Sequence, residues 1–319
     1  MNAFVTLARR HLWLPPLLVL VVLGIAIGIM RPGTFAIDQI NIKVAAAMTL
    51  ILIATGETIV VSRGGIDLSV GGILSLTTAI CATRGDPGLA ESIFWIGFVL
   101  VLGALVGVLN SVIITIGKLQ PFVVTLATWS ILEGCALMVL PAESSGVPDS
   151  WVAVEHVTPL GIGVPIMLLG ILVSLWAWFS RTRIYNAIRA AGSNERSAYL
   201  NRVSVLGTNA WAYGLSGFFA AAAGLYFSTQ TGAGHPTVGT QYVLPAIAAV
   251  VIGGTSLLGG RGTLMGTIVG AFILTLIGDV VFLLKLQSYW QWVMSGFILM
   301  LVVILTGLTE SRSSSGSGS

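Results

Sequence analysis

The amino-acid sequence predicts an all-α, polytopic integral membrane protein with about ten transmembrane helices. Some of these helices are expected to be short or broken, and both termini are expected in the cytoplasm. Hydrophobic residues make up 55% of the chain, charged residues only 8%, and the mean hydropathy is +0.96. Soluble domains carry about 25% charged residues. The chain therefore lacks the polar surface that it would need to face water on all sides.

Apolar runs give the individual helices, because a span of the bilayer needs about 20 apolar residues. The long runs are 12–30, 44–61, 93–116, 122–140, 160–179, 210–227, 264–284 and 290–308. Two further apolar segments, 70–82 and 243–258, are short and flanked by glycines. A helix of about 13 residues rises only ~20 Å, less than the ~30 Å hydrocarbon core. We expect these two to be broken or buried segments that neighbouring helices shield from lipid.

The distribution of basic residues sets the orientation. With the N-terminus inside, eleven of the 15 Lys and Arg residues fall in cytoplasmic loops and four fall outside, as the positive-inside rule requires. No small-residue cleavage site follows the run 12–30, so it is predicted to be a retained helix and not a signal peptide. The chain is predicted to be one permeation domain over 1–309, followed by a flexible tail over 310–319 whose composition is typical of an engineered linker.

Several classes of function find no support in the sequence. The net charge of +3 comes from basic residues between apolar runs, so it does not indicate nucleic-acid binding. Cys81 and Cys135 lie inside apolar runs without a CxxC spacing, which favours buried thiols over a disulfide or a metal site. No cofactor is expected. Glycines four apart, as at 103/107 and 262/266/270, predict close helix packing, within the bundle in preference to contact with another subunit.

The longest cytoplasmic connection, about 180–209, carries five arginines and one acid, Glu195. Gly192 is expected to end one short helix, and Ser193 or Asn194 to cap the next. The loop is therefore predicted to form two short interfacial helices joined by a turn. A solvated positive anchor, a binding site for anionic membrane lipid and a docking element for a cytoplasmic partner all fit the arginines. The docking element is preferred, because it also accounts for the turn and the cap.

The stretch RGGIDLSVGG, 63–72, places an acid among glycines in this apolar chain. The oxygens of Asp67 and Ser69 are expected to cap the short helix that follows. Discontinuous helices of this kind commonly flank a transport pathway, although a purely structural kink has the same appearance in sequence. The candidate hinge, gate and pathway residues are Glu57, Gly64, Gly65, Asp67, Ser69, Asn110, Phe122, Thr125, Gly253, Gly254, Gly259 and Gly260.

Two other functions compete with transport by a passive conduit. Glu57, Glu133 and Asp279 fall within predicted spans and would suit a proton-coupled secondary transporter, but no basic or histidine partner is expected near them on the spans. The string GLSG, 214–217, matches the serine loop of intramembrane proteases. Ser216 would then need a histidine base, and His235 is the only later histidine.

Five long motifs carry a resemblance to a known family. They are ETIVVSRGGIDLSVGGILSL (57–76), NSVIITIGKLQPFVVTLAT (110–128), NAIRAAGSNERSAYLNRVSV (186–205), AIAAVVIGGTSLLGGRGTLMGTIVGAF (246–272) and YWQWVMSGFILML (289–301). In this order the chain resembles the bacterial sugar-uptake permeases of the ribose/xylose/galactose ABC transporter family, which includes permeases for autoinducer-2. One departure is Glu133, where that family often has an arginine or a neutral residue.

The resemblance implies a non-catalytic permease subunit of an ATP-driven importer in the bacterial inner membrane, carrying a monosaccharide or related neutral polyol by alternating access. It implies three partners: a cytoplasmic ATP-binding subunit, a second permease chain and a periplasmic sugar-binding protein. The string 254–262 lacks the Lys and Ser/Thr of a phosphate-binding loop, so ATP hydrolysis is expected on the partner. The expected ATPase-coupling residues are Arg189, Ala191, Gly192, Ser193, Asn194, Glu195 and Ala198.

Overall fold

The structure, a computed structural model, describes residues 14–287, 289–291, 293–294, 296–297 and 300. Over these residues the chain is all-helical, apart from one isolated bridge between Ser144 and Gly234, as the composition predicted. The tail 310–319, most of the predicted span 290–308, and Arg9, Arg10 and Arg312 lie outside the described residues.

Twelve α-helices follow one another in the described part of the chain. They are α1 (Leu14–Met30), α2 (Ile37–Arg63), α3 (Ser69–Cys81), α4 (Leu89–Gly117), α5 (Pro121–Val139), α6 (Asp149–Glu155), α7 (Val164–Phe179), α8 (Arg183–Ser193), α9 (Glu195–Leu200), α10 (Val205–Thr231), α11 (Thr240–Ile252) and α12 (Leu264–Leu283). A 3₁₀ turn, Pro159–Gly161, precedes α7.

By length and apolar composition, four of the described helices could cross a membrane: α2, α4, α5 and α12. A fifth span results if α7 and α8, which meet at a bend of 74°, count as one. The number is below the predicted ten for three reasons. Helices α1, α3 and α11 are apolar but short; α10 is long but rich in Gly, Ser and Thr; and the last predicted span runs beyond the described residues.

Helix α10 lies at the centre of the bundle and packs against α2, α3 and α4. Glycines on both surfaces bring α4 and α10 together. A Cβ atom added at Gly107 would overlap the carbonyl oxygen of Tyr213, and one added at Gly217 would overlap that of Gly103. The glycines four apart at 103 and 107 therefore pack helices within this chain, as predicted.

The two short apolar segments form α3 and α11, and both are largely buried by their neighbours. Helix α11 ends at Ile252, six residues before its predicted end. The reason is local: Gly254 has φ +85° and starts an irregular loop, 253–263, that leads into α12. This loop lies at the same end of the bundle as Arg63 and α8, where Gly260 contacts Ser193.

Packing of α4 on α10 through glycine gives the first prediction. Gly107→Ala should lower the thermal unfolding temperature of the purified protein, because the new methyl group has no room and overpacking costs about 1–3 kcal/mol. Gly97→Ala is the matched control: it lies on the same helix, and a Cβ atom there meets nothing within 4 Å. Equal unfolding temperatures for the two variants would show that the helices are not in this close contact.

Candidate functional site

Three backbone segments meet at the end of α2, and we call their contact the glycine junction, formed by Gly64, Gly192 and Gly259. Gly64 ends α2 with φ +89°, and Gly259 has φ +86°. A Cβ atom added at Gly259 would lie 2.7 Å from the carbonyl oxygen of Gly192 and 3.0 Å from the Cα atom of Gly64. At Gly192 an added Cβ atom would overlap the carbonyl oxygen of Ser62. The junction therefore admits no side chain at these contacts, and it joins predicted hinge residues to the predicted coupling loop.

The coupling loop folds as predicted into two short helices, α8 and α9, but one boundary differs. Gly192 does not end α8, which continues through Ser193; its lack of a side chain serves the contact with Ser62. Asn194 caps α9 as expected, since its Oδ1 atom accepts a hydrogen bond of 2.9 Å from the Ser197 amide. The turn between the helices is thus a single capping residue.

Hydrogen bonds tie both α2 and α8 to the loop 253–263. The amide of Gly260 donates to the Ser62 carbonyl at 2.9 Å, and Nε of Arg189 donates to the Gly260 carbonyl at 3.2 Å. The Tyr185 hydroxyl donates to the Gly262 carbonyl at 3.0 Å. Helix α8 lies beyond the bend that ends α7, and there burial raises the pKa of the Tyr185 phenol, which keeps its proton available for this bond.

Arg63, the last residue of α2, was not singled out as a site residue from the sequence, yet it connects three elements. Its Nη2 atom lies 2.7 Å from Oε2 of Glu195 at the start of α9. Its Nε atom donates to Oγ1 of Thr208 in α10 at 3.3 Å, and Nη1 reaches the Ala191 carbonyl at 3.5 Å. Only 7% of Arg63 is exposed. The signal for this role was present: a charge at the end of an apolar helix, directly before two glycines.

Some of the predicted coupling residues are buried against the bundle, and others are exposed. Ala191 and Ala198 are buried against the bundle. Ser193, Asn194 and Glu195 are exposed, at the tip where α8 meets α9. This division leaves the tip free to contact another protein while the small residues hold the helices in place.

A chain of hydrogen bonds links the start of α3 to α4 and α5. Oδ1 of Asp67 accepts from the amide of Ser69 at 3.1 Å and from its hydroxyl at 2.5 Å. The Ser69 hydroxyl accepts from Nδ2 of Asn110 at 2.9 Å, and Oδ1 of Asn110 accepts from the Thr128 hydroxyl at 2.6 Å. Asp67 thus binds the first amide of α3, as expected. Ser69 does not cap α3 as predicted, because its hydroxyl bridges Asp67 and Asn110.

The remaining pathway candidates differ in burial and in contacts. Thr125 is buried, and its hydroxyl donates to the Pro121 carbonyl at 2.9 Å. The Phe122 side chain is 52% exposed at the start of α5 and is not part of the hydrogen-bonded chain. Gly253 packs against Gly266 of α12.

Glu57 lies near this chain in the interior of the bundle, fully buried. Neither of its carboxyl oxygens makes a hydrogen bond of good geometry among the described residues, although the group lies beside the backbone of Asp67. Oδ2 of Asp67 likewise faces the Ser216 hydroxyl without a well-formed bond, and the Tyr213 hydroxyl has no partner among these residues. The Tyr213 hydroxyl contacts Gly65, and the Ser216 backbone packs on Gly56. Buried polar groups are nearly always paired. The region around the link between α2 and α3 is therefore unusual, because several buried polar groups without well-formed hydrogen bonds lie there together.

The geometry argues against the protease alternative. His235 pairs through Nδ1 with Oε1 of Glu143 at 2.9 Å and packs on Phe227, with ring centroids 5.5 Å apart. Ser216 lies on the same helix as Phe227 but about 17 Å from it along the helix axis. The serine is instead buried against α2, and the Ser–His pair that a protease would need is not formed.

The three acids assigned to proton coupling are not alike in structure. Asp279 pairs with Lys43 of α2, so the expectation that it lacks a basic partner was wrong. The reason is that α2 begins at Ile37, which brings Lys43 inside the helix and level with the end of α12. Glu133, expected to be buried, is partly exposed and accepts a 3.1 Å bond from the Thr240 hydroxyl. Among the described residues, no three His, Cys, Asp or Glu side chains are grouped to hold a metal ion.

These features define a multi-pass helical membrane protein in which the two-helix loop of α8 and α9 packs on the end of α2, directly before the link to α3. The chain belongs to the family described as branched-chain amino acid transport system / permease component, whose sequence profile matches residues 40–303. Within it, the chain is a permease of the ABC sugar-transport type, as the resemblance in its motifs implied.

Relatives of known name support this assignment. The chain is 34% identical over 291 residues to the ribose import permease protein RbsC of Haemophilus influenzae, covering 89% of this chain and 90% of that one. It is 35% identical over 306 residues to RbsC of Bacillus subtilis, covering 92% of each. It is 34% identical over 275 residues to the autoinducer 2 import system permease protein LsrC of Photorhabdus laumondii, covering 86% and 82%. No solved structure matches the chain.

The glycine junction can be tested by adding one methyl group. Gly259→Ala should lower the unfolding temperature, because alanine is strained by about 1–2 kcal/mol at positive φ and its Cβ atom would also crowd Gly192 and Gly64. Gly33→Ala controls for the strain alone, since Gly33 has φ +90° and open space around it. A loss no greater than that of Gly33→Ala would contradict the close contact of the three segments.

Proposed function

We propose that this chain is the non-catalytic permease subunit of an ATP-driven importer that carries a monosaccharide or related small neutral polyol across the bacterial inner membrane by alternating access. The glycine junction carries the proposal, because it connects an exposed two-helix tip to the broken helices in the interior. The membership of the family and the relatives' identities support it. ATP hydrolysis belongs to a separate subunit, since the chain has no phosphate-binding loop.

The cytoplasmic ATP-binding subunit docks on the tip of α8 and α9. The exposed residues Ser193, Asn194, Glu195 and Arg196 present small and charged groups that suit a polar partner surface. Movement of the tip passes to α2 through the Arg63–Glu195 pair and to the loop 253–263 through Arg189. No flexible spacer separates these contacts, so the tip and the end of α2 move together.

The link between α2 and α3 then changes the position of α3 relative to α4 and α5. One continuous chain of hydrogen bonds joins Asp67, Ser69, Asn110 and Thr128. A shift of residues 64–68 therefore displaces α4 and α5 as well. The unpaired oxygens of Glu57 and Tyr213 beside it would find partners in a second arrangement. Alternating access requires two such arrangements of one bundle.

The cargo and the remaining partners are proposed from the relatives. Those relatives are named for import of ribose and of autoinducer 2, which indicates small hydroxyl-rich substrates. A soluble periplasmic protein delivers the cargo, and a second permease chain completes the translocation unit. Exposed apolar side chains along α4 and α5 supply surface for that chain and for membrane lipid.

The proposed function is tested by reconstitution. The chain, purified with the ATP-binding subunit and binding protein encoded beside it and placed in liposomes, should import radiolabelled ribose or another monosaccharide only when ATP is supplied. The liposomes with the isolated chain are the control and should show no accumulation. Uphill transport by the isolated chain, or ATP cleavage without the partner, would overturn the proposal.

A charge reversal at the tip of α8 and α9 tests docking of the ATP-binding subunit without disturbing the fold of this chain. Arg196→Glu is expected to abolish co-purification of the ATP-binding subunit and ATP-dependent uptake, while the unfolding temperature stays unchanged, because Arg196 is exposed. Arg31→Glu is the matched control, an exposed arginine after α1, and should leave co-purification intact. Retention of the ATP-binding subunit by Arg196→Glu would place the docking surface elsewhere.

Glu57→Met should raise the unfolding temperature and lower uptake. The first effect follows because an unpaired buried carboxyl group is costly and methionine fills a similar volume without polar atoms. The second follows because the proposed second arrangement uses the carboxyl group. Ile59→Met, another fully buried position on α2, controls for the new side chain. A fall in stability of Glu57→Met alone would show that the carboxyl group is satisfied in the folded protein.

A further inference from the structure

A cavity of about 630 Å³ lies between α2, α11 and α12. Its volume falls within the range of about 300–1,000 Å³ that is usual for small-molecule sites. Apolar residues such as Leu50, Leu274 and Phe282 form part of its wall. Phe282 and Gln241 at its rim are exposed, so the cavity reaches the surface of the chain.

The polar groups of this cavity have the chemistry of a hydroxyl-rich ligand site. They are Gln241, Tyr242, Thr275, Asp279 and Gln291. A carboxylate accepts hydrogen bonds from ligand hydroxyls, an amide both accepts and donates them, and an aromatic ring offers a flat apolar face. A surface made only for lipid would not carry these groups, because polar side chains at membrane depth are costly.

The charge of the cavity favours a neutral ligand. Asp279 in its wall pairs with Lys43 of α2, so the acid is already compensated. Among the described residues that line the cavity there is no other Asp, Glu, Lys, Arg or His side chain. A neutral polyol can therefore enter without leaving a charge unpaired, whereas an anion or a cation would compete with the ion pair.

The cavity lies at the end of the bundle away from the glycine junction. Lys43 precedes Arg63 by 20 residues of one helix, which is about 30 Å. A ligand here is thus remote from the ATPase-coupling tip and close to the face that would receive cargo from outside.

We propose that the cavity between α2, α11 and α12 is a transient binding site for the transported monosaccharide or polyol, with Gln241, Thr275 and Asp279 binding its hydroxyl groups. This inference rests on the proposed function and deepens it by assigning a cargo site. The site is the first on the chain that cargo meets after release from the binding protein.

Cysteine accessibility in the reconstituted complex tests whether the cavity holds water and sugar. In a background with Cys81 and Cys135 replaced by alanine, Thr275→Cys should react with a membrane-impermeant thiol reagent, and saturating ribose or another imported monosaccharide should slow that reaction. Ile171→Cys, at an exposed apolar position of α7, should stay unlabelled. An unreactive Thr275→Cys would mean that lipid or a second subunit fills the cavity, and labelling that the imported sugar does not slow would mean solvent alone; either result overturns the inference.

Transport by isosteric variants gives an independent readout. Thr275→Val and Gln241→Leu should each lower maximal uptake about five-fold, the factor for one lost hydrogen bond, at unchanged unfolding temperature. Thr229→Val and Gln230→Leu, on α10 and outside the cavity, are the matched controls and should transport normally.

Different results would overturn the cargo site and the proposed function. Normal uptake by both cavity variants in a complex that imports sugar overturns the cargo site and leaves the proposed function standing. A wild-type complex that imports no monosaccharide overturns the proposed function, and the cargo site with it.

Discussion

The contact of Gly192 with the carbonyl oxygen of Ser62 is the constraint on which the rest of the structure depends. Because neither backbone carries a side chain into the contact, α8 lies directly on the end of α2. That position lets Gly260 reach Ser62 and lets Arg63 reach Glu195. Without the close approach the bonds made by Gly260 and Arg63 would be lost, and fewer contacts would hold the two-helix tip to the end of α2.

A polar interior inside an apolar bundle needs a reason, since each buried polar group must be paired or it costs stability. The chain from Asp67 to Thr128 meets this demand with short hydrogen bonds. Glu57 and Ser216 do not. A bundle built only for rigidity would replace both with apolar residues. The presence of these two polar side chains fits a protein that occupies more than one arrangement.

Much of the fold follows from local patterns. The short α3, the helix pair α8 and α9, and the cap at Asn194 were predicted because glycine, asparagine and apolar spacing act within a few residues. Other features arise from partners far apart in sequence. Gly192 looked like a helix end and proved to be a packing contact; Ser69 looked like a cap and proved to be a bridge to Asn110. In both cases the partner that decides the role lies on another helix.

The sequence by itself determined that this is a multi-pass helical permease, because composition, apolar period and motifs are properties of the chain alone. Tertiary structure decided which residues form a site. Lys43 and Asp279 are 236 positions apart, and no local pattern relates them. The cavity between α2, α11 and α12 exists only where three separate helices leave space between them, so packing alone could place it.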